Sequence, residues 1–341
     1  MKSLVWEAPR VMAMREGERP APGAGEVLIK VAYAGICGSE LGGYLGHNAL
    51  RVPPLVMGHE FAGTITDADA GVADAFPALA SGQSVTVNPM IYCGTCAFCA
   101  RGMNHLCARR QLIGAARPGA YAEYVAVPAK MVTALPEGVS LRTAALAEPA
   151  AVAVRIGELA GAVAGDDVLI IGAGPIGLLA LQVLLANGAR RVFMADLDAE
   201  RLAMAGELGA TTIDPRQHEV PKYVREATDQ LGVVTALDAV GATVTRAQCV
   251  AATRAGGTVL LSGLHEESGV MPAADIIRRE IVVRGSFCYT PANFSQALDM
   301  LARDALRLDP WIVEAPLAEG GPWFDRLIDA PGAVAKVLLI P

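Results

Sequence analysis

Short apolar runs broken by Gly, Pro and Asp fill the chain from Met1 to about residue 149. Residues 27–31, 84–87 and 121–127 have the length and β-branched content of strands, and their spacing predicts a compact barrel or sandwich. The pattern changes at about residue 150. From there to about residue 285, short β-branched runs alternate with Ala- and Leu-rich runs of helical length, the signature of a parallel α/β sheet. The last fifty or so residues return to mixed structure and finish on Lys336-Val337-Leu338-Leu339-Ile340. That run is predicted to be a strand added back to the first domain. The organisation expected is a β-rich domain over 1–150 and 290–341, with an α/β domain over 151–289 inserted into it.

Within the α/β part, Asp167-Val168-Leu169-Ile170-Ile171 reads as a buried strand that runs into Gly172-Ala173-Gly174-Pro175-Ile176-Gly177. A helical run to Ala186 follows, with Gly188 placed to cap it, and the next strand, 191–195, ends at Asp196. G-x-G-x-x-G is a weak signal alone. Here it has a strand before it, a helix after it and an acid about 20 residues on, the context of a dinucleotide-binding Rossmann unit. Gly172 permits the tight turn, Gly174 lets the backbone approach a pyrophosphate, and Gly177 allows helix and strand to pack closely. Asp196 can accept from the ribose hydroxyls and repels a 2′-phosphate, so NAD is expected over NADP.

Cys93, Cys96, Cys99 and Cys107 follow the spacing C-x2-C-x2-C-x7-C in a lobe at about 90–110. Four thiolates within reach of one point describe a closed, structural zinc site. Two disulfides are the competing reading, disfavoured because the first three cysteines are crowded and no apolar leader region precedes the first strand. A second, mixed donor set is available in Cys37, His59, Glu60 and Glu148. A thiolate, an imidazole and a carboxylate with one exchangeable position can hold a catalytic zinc, although each of these residues alone is unremarkable.

Composition narrows the class. The chain has 341 residues, 53% hydrophobic and 18% charged, enough to bury two ordinary cores. A net charge of -7 without a basic stripe argues against a nucleic-acid partner. No apolar run reaches transmembrane length, and a cytoplasmic location is expected.

Taken together, these motifs resemble the zinc-dependent medium-chain dehydrogenase/reductase family over nearly the whole length. They are Gly35 to Ser39, Gly58-His59-Glu60, the cysteine lobe, Glu148-Pro149, Gly172 to Gly177 with Asp196, and the closing Lys336 to Leu339. Within the family the chain is most similar to the polyol branch of galactitol-1-phosphate, sorbitol and butanediol dehydrogenases. The resemblance implies a GroES-like catalytic domain and a Rossmann domain, with the active site in the cleft between them. It implies Cys37 and His59 as catalytic zinc ligands, with Glu60 or Glu148 supplying the carboxylate, and Ser39 as hydrogen-bond partner of the substrate oxygen. Ile176, Asp196 and Arg201 match cofactor-contacting positions, and Gly263, Leu264, Ser286 and Phe287 lie in segments that pass the nicotinamide half. Tyr44 and Tyr289 are the expected substrate residues. Implied cofactors are NAD and two zinc ions per chain, in a homodimer or homotetramer that pairs through the strand at about 281–286.

Four positions depart from the family pattern. The proton-relay histidine of classical alcohol dehydrogenases falls at Gly42, Glu40 replaces an aspartate, Arg155 stands where the helix after Glu148-Pro149 usually carries a histidine, and Cys288 stands where sorbitol-type enzymes carry an arginine. The expected reaction is reversible, NAD-dependent oxidation of a secondary hydroxyl on a small polyol, diol or polyol phosphate. Butanediol- or threonine-type dehydrogenation is the alternative within the family. A non-catalytic NAD- and zinc-binding protein is the rival from another class, and a zinc-free quinone or enoyl reductase is a further one. For a sugar phosphate, His47, Arg51, Arg109, Arg110 and Arg117 are candidates for a basic cluster.

Overall fold

The computed structural model describes all 341 residues, which divide into two compact units. The first comprises Met1–Glu148, Thr290–Asp304 and Ile312–Pro341; the second comprises Pro149–Tyr289 and Ala305–Trp311. The second span of the α/β unit departs from the boundary expected from sequence. It is tied there by Gln182, whose amide donates to the Arg307 carbonyl (2.9 Å) and accepts from the Arg307 N–H (3.0 Å).

The first unit is built on a seven-stranded mixed sheet and a three-stranded sheet. The long strand Glu26–Gly35 is its spine and pairs antiparallel with Glu60–Ala68, Tyr124–Pro128 and Lys336–Ile340. Alternation along these strands sends Val27, Ile29, Phe61, Ile65, Val125, Val337 and Leu339 into one apolar core with Trp6 and Phe324. The terminal strand is therefore integral to this sheet.

The second unit contains a six-stranded parallel sheet. Its strands are β1 (Asp167–Ile171), β2 (Arg191–Ala195), β3 (Thr211–Ile213), β4 (Val233–Asp238), β5 (Thr253–Leu261) and β6 (Val282–Gly285). Their order is 3-2-1-4-5-6, the doubly wound Rossmann arrangement. β1 is buried at all five positions, which explains its unbroken apolar run after Asp167. Asp167 is itself paired with Arg190 (2.6 Å) and Arg191 (2.8 Å) at the strand's start, and these guanidiniums hold its carboxyl below the ordinary range against the opposing effect of burial. β6 is the exposed edge. No helix is long and apolar enough to cross a membrane.

Candidate active site and metal centres

Strand register assembles the candidate active site. Gly35, the last residue of the spine strand, pairs with Glu60, the first of its neighbour. A Cβ at Gly35 would lie 2.3 Å from Glu60 Oε2, so only glycine admits the carboxylate here. Cys37 follows two residues later as the N-cap of the helix Gly38–Tyr44, and His59 immediately precedes Glu60. One end of the sheet thus delivers a thiolate, an imidazole and a carboxylate whose ligand atoms all lie within 4.8 Å of one another.

Each donor is held by a second group. Glu40 has no exposure and accepts from His59 Nδ1 (2.8 Å), Gly58 N–H (2.8 Å) and Cys37 N–H (3.2 Å), and also from the Tyr121 hydroxyl. Burial would raise the Glu40 carboxyl, but the charge and hydrogen bond of His59, the charge of Arg51 and the Tyr121 hydrogen bond outweigh it and hold the group at about 2. For His59 the opposition runs the other way. Burial lowers the imidazole, while the charges and hydrogen bonds of Glu40 and Cys37 raise it well above its ordinary value. Occupation of His59 Nδ1 by Glu40 leaves Nε2 as the nitrogen available to a metal. Lys336, the first residue of the terminal strand, is 3% exposed. Its ammonium donates to both Glu60 oxygens (2.9 and 2.7 Å) and to the Ile36 carbonyl (3.1 Å).

The donor chemistry fits zinc: thiolate, imidazole and carboxylate are its usual ligands, and three protein donors leave a position for an exchangeable oxygen. The cysteine lobe fits a second zinc of the closed kind. All four sulfurs converge within 4.8 Å, with Cys96–Cys99 at 3.5 Å and Cys93–Cys99 at 3.9 Å. A tetrahedron with zinc–sulfur bonds of about 2.3 Å has edges of about 3.8 Å. The lobe is built from turns: Cys96 caps the short helix Ala97–Ala100, and Gly94 and Gly102 take φ of 79° and 73°. Backbone N–H groups of Thr95 and Cys96 pull the Cys93 thiol down to about 5, whereas burial lifts Cys99 to about 11. All seven cysteines are free, so the disulfide alternative finds no support.

In the second unit, Gly174 caps the helix Pro175–Ala186, with Pro175 at its start. Gly172 takes φ of 108°, and a Cβ at Gly177 would sit 1.9 Å from the Gly172 carbonyl oxygen. Asp196 follows β2; its Oδ2 accepts from Ala173 N–H (2.7 Å) and its Oδ1 from Asp198 N–H (2.9 Å). The acid is therefore fixed against the glycine turn. Asp198 caps the helix Ala199–Glu207 by accepting from Glu200 and Arg201 N–H. Ile176 lies in the first turn of the glycine-capped helix. Gly263 packs against the Val240–Gly241 backbone, where a Cβ would come within 2.1 Å. Leu264 and Phe287 are exposed, while Ser286 is buried.

Other expected residues fall into place or out of it. The exposed Ser39 hydroxyl donates to Cys37 Sγ (3.5 Å), beside the donor set. Glu148 is buried in the first turn of the helix Ala147–Ala160, and the convergent set contains Glu60 and not Glu148. Tyr44 departs from its expected substrate role. It is 1% exposed, packs on Phe324 with ring centroids 5.1 Å apart, and its hydroxyl donates to Asp325 (3.0 Å). Tyr289 is also buried. Arg155 pairs with Glu158 (2.8 Å). The candidate basic cluster does not converge: Arg109 bonds Thr95, Arg110 the Cys107 carbonyl, and Arg117 Glu26 and the Ala126 carbonyl. Sequence reasoning missed Lys336, Tyr121 and the central place of Glu40. The one available signal was a lysine heading the apolar run 336–340.

Comparison with known proteins agrees with this geometry. Residues 23–137 match the alcohol dehydrogenase GroES-like domain, and residues 175–303 match the zinc-binding dehydrogenase domain. The chain belongs to the zinc-dependent medium-chain dehydrogenase/reductase family, in its polyol branch, and is an oxidoreductase. It is 34% identical to the D-arabitol-phosphate dehydrogenase of Enterococcus avium over 99% of this chain and 97% of that one. The crystal structure of galactitol-1-phosphate dehydrogenase from Escherichia coli superposes with a TM-score of 0.91 at 31% identity, covering 100% of both chains. A zinc-binding dehydrogenase from Sinorhizobium meliloti bound to NADP gives 0.91 at 33% identity, covering 100% of this chain and 99% of that one.

Proposed function

We propose that this protein oxidises a secondary hydroxyl of a small polyol, diol or polyol phosphate to the ketone, reversibly, with NAD as acceptor. The carrying observation is the mixed donor set Cys37–His59–Glu60 with the exposed Ser39 hydroxyl beside it. Zinc held there supplies a Lewis acid that makes the hydroxyl proton easier to remove and stabilises the carbonyl oxygen in the reverse direction. NAD, when bound, would supply the acceptor for the hydride released from the substrate carbon. Cys37 and His59 are the constant ligands, and Glu60 and Glu148 are the two carboxylates available to complete the set. Lys336 holds Glu60 from behind, which favours Glu148 as the carboxylate that serves substrate and water. Ser39 meets the substrate oxygen and Glu148 holds a water, and together they give the hydroxyl proton its route to solvent.

The Rossmann unit binds the nucleotide through Gly172, Gly174, Pro175, Ile176 and Gly177, with Asp196 on the ribose and Arg201 beside it. Gly263, Leu264, Ser286 and Phe287 line the nicotinamide half. The S. meliloti relative binds NADP, so the choice in this chain rests on its own Asp196, whose fixed carboxylate would repel a 2′-phosphate. β6, with Val282 54% and Val283 37% exposed, is the surface on which two copies pair as a homodimer or half of a tetramer.

A panel of polyols, polyol phosphates, diols, threonine and simple alcohols, assayed for NADH formation at mildly alkaline pH, tests the reading. Vicinal diols or polyols are expected to lead. Ethanol or threonine surpassing every polyol and diol would overturn it.

A further inference from the structure

Arg51 is 4% exposed and is not held by a carboxylate within ion-pair distance. Its Nη1 donates to the Ser39 carbonyl (3.2 Å) and its Nη2 to Ser39 Oγ (3.3 Å), while its Nε meets no partner. The chain goes out of its way to put it there. The turn at residues 48–51 is closed by Arg51 N–H on the Asn48 carbonyl (3.1 Å). The side chain then lies across the helix Gly38–Tyr44 at Gly43, where a Cβ would be 2.6 Å from Arg51 Cδ. A buried guanidinium with an orphan donor is costly, and an aliphatic side chain would fill the same space without that cost. The Arg51 charge lowers the Glu40 carboxyl, but both terminal nitrogens of the side chain are spent on Ser39, so the arrangement calls for a reason beyond packing and that charge.

We infer that Arg51 is a positioning residue for the alcohol chemistry, acting through Ser39. A serine hydroxyl has one hydrogen and two lone pairs. Arg51 occupies one lone pair and, being permanently protonated, can never accept the hydrogen. The Ser39 hydrogen is therefore turned away from Arg51, towards the donor set, where Cys37 Sγ lies 3.5 Å from Ser39 Oγ. Clamping both the carbonyl and the hydroxyl of one residue fixes backbone and side chain together. Two consequences follow for the reaction. The substrate proton has no inward route through Ser39, and Gly42 offers none either, so it leaves on the solvent side. When the substrate oxygen has given up its proton, the Ser39 hydrogen can turn from Cys37 Sγ to that oxygen on the same side, and the cation behind Ser39 favours the negative charge.

This rests on the alcohol-oxidation reading, but not on which alcohol is used. The test is a double-mutant cycle of Arg51→Met and Ser39→Ala in the zinc- and NAD-loaded enzyme, with whichever alcohol the wild type oxidises fastest. Arg51→Met is expected to lower kcat about tenfold or more, with zinc content and KM for NAD unchanged. It should also move the acid limb of the kcat profile to higher pH. In the Ser39→Ala background the same change should cost less than about twofold, because the group it acts through is gone. Arg51→Lys, which keeps the charge and loses the fork, should fall between and serves the same cycle if the methionine variant does not fold. Equal losses in both backgrounds, or an unaltered kcat in Arg51→Met, would overturn the inference. A preferred substrate that is not a polyol or diol overturns the substrate reading alone and leaves the cycle's result on Arg51 standing.

Discussion

The two donor groups of the first unit collect their ligands by opposite means. The cysteine lobe is local: four sulfurs within one short loop segment, brought together by turns, glycines and backbone N–H groups. The Cys37–His59–Glu60 set is long-range: its residues come from the ends of paired strands, and its supports come from Glu40, Tyr121 and, at the far end of the chain, Lys336. The lobe supplies only thiolates as donors. The mixed set is surrounded by buried charges, +1 at Lys336 and Arg51 and −1 at Glu40, and has an exposed hydroxyl beside it. A local all-thiolate site is suited to hold its metal and staple the fold. A long-range mixed site in a charged, largely dry setting is suited to chemistry, because its electrostatics are set by groups that never touch the metal.

That contrast can be broken most sharply at His59. His59→Ala should reduce turnover below detection and remove one zinc equivalent, leaving the other in the lobe, as elemental analysis and NADH assays will show. Full activity in that variant would mean that the mixed set is not the reaction centre. Lys336→Met is next. It strands the Glu60 carboxylate in a buried site, and breaking such a pair costs about 3–5 kcal/mol, read as a loss of stability in denaturant. An unchanged midpoint would show that Glu60 is already held by the metal alone.

Glu40→Gln keeps the shape and removes the charge behind His59, so zinc affinity at the mixed site should fall about 10- to 100-fold by competition with a chelator, with the lobe unaffected. Asp196→Ala lies in the other unit and acts as a control. It should cost about tenfold in the preference for NAD over NADP while both zinc equivalents remain.

Acid should separate the sites too. Glu40 is held at about 2 against an ordinary 4.5, so its contribution to stability is full above 4.5 and is lost as pH falls towards 2. His59 in the metal-free protein is raised, so its contribution is full below 6.5 and is lost only as pH rises through the raised value. Between those limits the Glu40–His59 pair stabilises the metal-free protein. Zinc must displace the His59 proton, and zinc affinity at the mixed site should fall as pH is lowered. Zinc binding to chelator-treated protein at several pH values measures this.

What was legible in the sequence follows the same divide. The cysteine lobe and the glycine turn with Asp196 are local patterns, so spacing alone reveals them, and the 3-2-1-4-5-6 sheet agrees with the alternating runs. Cys37, His59 and Glu60 can be grouped from their donor chemistry, but each is unremarkable alone, and it is strand register, not spacing, that brings them together. Lys336 reads as the polar start of an apolar strand, and its partner stands 276 residues away. Arg51 reads as a candidate for a phosphate-binding cluster, and only the fold shows it buried and bonded to Ser39. Tyr44 misled because a tyrosine in a polar loop has the same signature whether its ring faces a substrate or, as here, a core phenylalanine. The segment Ala305–Trp311 joined the second unit through Gln182, a contact that no periodicity foretells.

The central claim is that the chain carries two independent zinc sites with different tasks. The most direct test is zinc content and kcat measured together on the wild type, Cys37→Ser, and the pair Cys93→Ser with Cys96→Ser. Two equivalents are expected in the wild type and one in each variant. Activity should vanish in Cys37→Ser, while the lobe variant loses thermal stability and keeps the kcat of whatever fraction stays folded. A single equivalent in the wild type, or two retained in the lobe variant, would contradict the account.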